Sequence, residues 1–73
     1  MSPRALRLSS DELISLLKRQ PDPFEHVSTK GSHAKYRNGA GVTVIVPLGR
    51  NPLKIGTQMD ILAQVGISLP GDT

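Results

Sequence analysis

The chain has 73 residues, room for one domain and no more. A domain of that size buries only about 60% of the surface its unfolded chain exposes, and with no cysteine it has neither disulfides nor thiolate metal sites to staple a thin core. Nine Lys and Arg against six Asp and Glu give a formal charge of +3 and an isoelectric point near 9.8, a balance that favours polyanions such as RNA or DNA, or an acidic protein partner.

No stretch is apolar for long enough to span a membrane, and the two arginines of Met1–Leu8 precede no hydrophobic run. The expectation is a cytoplasmic protein with no membrane association. It reads as a single domain over 1–73 with its core in 9–67 and both ends loosely attached.

Ser9-Ser10-Asp11-Glu12 has the form of a capping box, with Ser9 as N-cap, Glu12 at the third helical position, and Leu8 and Leu13 placed as a hydrophobic staple. Leu13, Ile14, Leu16 and Leu17 recur at helical spacing, Lys18 and Arg19 suit the negative end of the helix, and Pro21 and Pro23 stop it. The pattern then predicts three short strands, Phe24–Thr29, His33–Arg37 and Val42–Val46. Lys30-Gly31-Ser32 and Asn38-Gly39-Ala40-Gly41 make the turns of an antiparallel meander. Leu48 to Gly56 reads as a loop, and Thr57 as the cap of a second helix, with Asp60 as its weaker partner. Met59, Ile61, Leu62 and Val65 form the apolar side of that helix, and Gly66 is placed for a left-handed C-cap with Ile67 folding back on Leu62.

The predicted fold is α+β, in the order α-β-β-β-α, with a three-stranded antiparallel sheet and both helices on one face. Alternation along the second strand then sends Ala34 and Tyr36 inward and His33, Lys35 and Arg37 outward. On the first strand it sends Val27 inward, with His26 and Ser28 outward and leading into Lys30. Ile45 falls outward beside Thr43 on the third strand. The open face is thus expected to carry two histidines and several cations, a seat suited to a phosphate backbone.

RNA carries its own nucleophile, the 2′-hydroxyl, so its cleavage needs help with proton transfer and with phosphate charge. Imidazole ordinarily titrates near neutral pH and can move that proton, and Lys or Arg can stabilise the charge. His33 with Lys30, Lys35 and Arg37 offers both on one short stretch, although by its residues alone His33 also fits a surface histidine ending a turn. For His26 an exposed strand histidine is the simpler account. A metal site on His26 and His33 lacks further ligands. No cofactor motif is present; in particular there is no phosphate-loop pattern.

At Lys30-Gly31-Ser32-His33, followed by Tyr36 and Arg37, the chain resembles the HicA toxin family. The similarity continues with Val42-Thr43-Val44 and Pro47, then Gly56-Thr57, then Ile61 to Ile67, and it covers about Ser9 to Ile67 in order. The resemblance implies a fold like the double-stranded RNA-binding domain and the toxin half of a type II toxin–antitoxin pair. It also implies metal-independent endoribonuclease action on mRNA and silencing by a HicB-like antitoxin. It assigns the essential role to His33; the residues around it make Lys30, Ser32, Lys35 and Arg37 the expected RNA-binding set. The chain departs from the family pattern at Ala34 and Gly49, where many members have histidine, and at Pro23, where glycine is frequent. The alternatives left by the residues are a non-catalytic RNA-binding module and a domain that binds only a protein partner.

Overall fold

The computed structural model describes residues 7–67; the two loosely attached ends expected from the sequence lie almost wholly outside that range. The elements follow the order α1 (Ser10–Lys18), β1 (Glu25–Lys30), β2 (His33–Arg37), β3 (Thr43–Pro47) and α2 (Ile55–Val65). The strands form one antiparallel sheet in the order β1-β2-β3. The expected α+β architecture is therefore present. Strands β1 and β3 each start one residue later than the pattern predicts and end one later.

Helix α1 begins with a complete capping box: the Ser9 hydroxyl accepts from the Glu12 amide at 3.1 Å, and Glu12 Oε1 accepts from the Ser9 amide at 2.8 Å. Leu13 and Leu17, one turn apart, are wholly buried, while Ile14 and Leu16 lie half-buried at the margin. The proline-bounded segment after α1 is tied back where the Phe24 amide donates to the Leu17 carbonyl at 3.1 Å.

Alternation is clean on β2 and β3. Ala34, Tyr36, Val44 and Val46 are buried against Leu13, Leu17, Phe24, Leu53, Ile61 and Leu62, which puts both helices on one face. His33, Arg37, Thr43 and Ile45 point to the open face and are exposed. Strand β1 is exposed at every residue, because the helices pack over β3 and β2 and leave the β1 edge uncovered.

The second helix corrects the predicted start. It begins at Ile55 with Lys54 at the N-cap and no side-chain cap, so Thr57 lies inside the first turn and Thr57–Asp60 is not a capping pair. The reason is tertiary. Gln58 is wholly buried and its Oε1 accepts from the Leu8 amide at 2.7 Å, while the Leu53 amide donates to the Leu8 carbonyl at 2.8 Å. These contacts fasten the entry of α2 to the segment before α1. The far end closes as the sequence predicts. Gly66 is left-handed (φ 72°), its amide donates to Ala63, and the Ile67 amide reaches the Leu62 carbonyl at 3.0 Å.

Candidate functional site

The β1–β2 hairpin turns on Gly31-Ser32, with Lys30 and His33 paired across it. Gly31 supplies the positive φ (57°) and Ser32 has none, as suits a two-residue turn with glycine at its first central position. The turn is fixed from the side as well, since the Leu48 amide donates to the Ser32 carbonyl at 2.6 Å. His33 is therefore held on rigid backbone at the start of β2, facing Pro47 of β3.

Two clefts have His33 in their lining. One, of about 200 Å³ on the open sheet face, is lined by Ser28, Lys30, His33, Lys35 and Ile45. Ile45 stands opposite Lys35 and is 46% exposed, an apolar floor beneath cationic walls. The other cleft, of about 160 Å³, runs from His33 and Pro47 to Arg50, Leu53, Lys54 and Thr57 at the entry of α2. Neither cleft is lined by a carboxylate. Among the described residues the His33 imidazole makes no hydrogen bond, ion pair or ring contact, so both ring nitrogens are available to a ligand.

The structure thus brings together Lys30, His33 and Lys35, with Ser32 exposed in the turn beside them. Arg37 lies four residues further along β2, about 13 Å away at strand rise, and lines a separate cleft with Asp22, Glu25 and His26.

His26 and Val27 correct the predicted first strand. A bulge between His26 and Ser28 leaves Val27 unpaired and 45% exposed, so it does not point inward. Ahead of the bulge the parity is reversed, and His26 pairs with Tyr36 instead of joining His33 on the open face. Its ring meets the Tyr36 ring edge-on, with centroids 5.5 Å apart. His26 Nε2 and Thr29 Oγ1 share a hydrogen bond at 2.6 Å. His33 is thus the one histidine on the open face. Tyr36 is buried, in keeping with the inward position its parity assigns.

Arg50 and Lys54 escaped the sequence reading, because their loop has no periodicity to orient them. Ser10 is what places them. Its buried hydroxyl donates to the Pro47 carbonyl at 2.6 Å and accepts from the Arg50 amide at 3.0 Å, while the Ser10 amide donates to the Arg50 carbonyl at 2.8 Å. One serine at the head of α1 thereby clamps the loop that forms a wall beside His33. The signal available in the sequence was a second serine directly after the N-cap, and two cations in a loop joining a strand to a helix.

Fold and site together define a small α+β domain whose cation-rimmed open face centres on one accessible histidine. Residues 10–67 match the family model described as the HicA toxin of bacterial toxin–antitoxin systems. The chain belongs to the HicA toxin family, and so to the toxins of toxin–antitoxin systems, which implies an antitoxin as partner. No curated protein matches it. Among the described residues no helix is long and apolar enough to cross a membrane, and no three His, Cys, Asp or Glu side chains gather as a metal ligand set.

Proposed function

We propose that the protein is an endoribonuclease that cuts mRNA without a metal, with His33 moving the proton and Lys30 and Lys35 binding the phosphate, and that a HicB-like antitoxin silences it in the cytoplasm. The observation that carries this reading is the free His33 imidazole, seated on a rigid turn between cation-lined clefts. In the reaction the 2′-hydroxyl attacks the adjacent phosphorus and loses its proton. A bond from phosphorus to O2′ forms, the bond to O5′ breaks, and O5′ leaves with a proton. His33 serves one of these transfers as general base or acid, and the lysines stabilise charge on the phosphoryl oxygens. One imidazole cannot easily serve both transfers in one step, so turnover is slow. Ser32 offers a hydroxyl at the same turn, and Arg37 meets RNA further along the strand.

The second reading, a non-catalytic RNA-binding module of the same fold, draws on one observation. No side chain among the described residues orients the His33 ring, and His26 faces away from it. Incubating the purified chain with end-labelled RNA in EDTA separates the two. Cleavage by the wild type that is lost in His33→Ala supports the nuclease, with products ending in a 2′,3′-cyclic phosphate and a 5′-hydroxyl. Binding by both proteins with no cleavage by either assigns the module.

A further inference from the structure

Arg50 and Lys54 have no step in the mechanism above, yet their cleft shares His33 as a lining residue with the cleft of Lys30 and Lys35. Lys30 and Lys35 line one of these clefts, Arg50 and Lys54 line the other, and His33 lines both. The charge pattern separates these two clefts from the cleft at Arg37. The cleft that holds Arg37 also holds Asp22 and Glu25, so its cation is partly offset, whereas both clefts at His33 are lined without any acid. Arg50 and Lys54 are exposed and make no ion pair among the described residues. Their backbone is not loose, because the Ser10 clamp and the buried Leu53 hold the loop. Two unpaired cations on a fixed frame, opening onto a proton-transfer group, suit a multiply charged chain better than an isolated anion.

We infer that Arg50 and Lys54 form a second phosphate site, so that a single RNA strand crosses over His33 with one phosphate on Lys30 and Lys35 and a neighbouring phosphate on Arg50 and Lys54. The inference rests on the proposed RNA-cleaving function and adds the direction in which the strand runs. Binding on both sides of the imidazole fixes the intervening sugar and phosphate against it, which is the positioning that the unsupported His33 ring does not get from its own neighbours. Arg50 and Lys54 are positioning residues in this scheme, and their contribution grows with the charge on the ligand.

The test is binding of a fluorescent 2′-O-methyl oligoribonucleotide of about ten nucleotides, which lacks the nucleophile, to the full chain over a range of salt. Arg50→Gln with Lys54→Gln is expected to weaken binding roughly tenfold at low salt. It should also flatten the slope of log affinity against log salt by about 0.7, the contribution of one neutralised phosphate on a single strand. The charge-keeping pair Arg50→Lys with Lys54→Arg should restore the slope, which separates loss of charge from loss of fold. A wild-type slope in the Gln pair, beside a loss in Lys30→Gln with Lys35→Gln, overturns the second site and leaves the RNA reading intact. If the wild-type chain shows no salt-dependent RNA binding, the inference and the proposed function both fall.

Discussion

His33 and Gly31 divide proposed chemistry from geometry at the β1–β2 turn. The His33 side chain is exposed and makes no hydrogen bond, ion pair or ring contact among the described residues, so His33→Ala should leave unfolding free energy within about 0.5 kcal/mol of wild type while abolishing cleavage. Chemical denaturation and the EDTA cleavage assay on one preparation measure both. Gly31→Ala should do the reverse in part. Nothing obstructs a Cβ there, but φ is +57°, so the substitution should cost about 1 kcal/mol and disturb the turn that aims His33. Denaturant midpoints read the first effect, and a lower cleavage rate in the folded variant reads the second. At this scale the sequence was informative about His33, since a Gly-Ser turn ahead of a strand fixes where the next side chain points. It was uninformative about Arg50 and Lys54, whose positions depend on a serine some forty residues earlier in the chain.

Elements differ in how local their causes are. Helix α1 and the end of α2 are closed by bonds among near neighbours, Ser9 with Glu12 and Ile67 with Leu62, and both were legible for that reason. The start of α2 was not, because buried Gln58 and Leu53 draw it toward Leu8 from the other end of the chain. The β2–β3 turn has a similar remote brace. Both Asp22 carboxylate oxygens accept backbone N–H groups, from Gly39 at 2.8 Å and Ala40 at 2.9 Å. A Cβ on Gly39 would meet Asp22 Oδ1 at 2.7 Å, so this turn and this carboxylate are matched. Asp22→Ala should destabilise the fold by about 1 kcal/mol, since the bonds are partly solvated, and should speed amide exchange at Gly39 and Ala40. Hydrogen exchange followed by NMR checks it residue by residue.

For the whole molecule, the thin core sets the tolerance to change. Leu13 and Leu17 from α1, Leu53 and Leu62 from the second half, and Val44 and Val46 from β3 are nearly all the fully buried apolar volume, and β1 contributes none. Leu13→Ala should therefore cost about 2–5 kcal/mol against a total stability on the order of 5 kcal/mol for a domain this small. The variant should be largely unfolded near 37 °C by circular dichroism, and an antitoxin that binds only the native state would raise its midpoint. Ser10→Ala should cost about 1–2 kcal/mol by leaving the Pro47 carbonyl and the Arg50 amide short of a partner. Because it loosens the loop beside His33, it should also lower cleavage more than its stability loss explains, as a rate measured well below the melting temperature would show.

Order of elements, strand direction, the inward set on β2 and β3, and the exposure of His33 were all determined by the sequence, because each follows from a repeat of two or of 3.6 residues or from a cap closed over three or four positions. Tertiary structure alone decided three things. The bulge at Val27 turned His26 away from the open face, since pairing with β2 and contact with Tyr36 outweighed simple alternation. Burial of Gln58 moved the start of α2. The Ser10 clamp carried Arg50 and Lys54 into a cleft with His33, through bonds between segments that no local pattern relates.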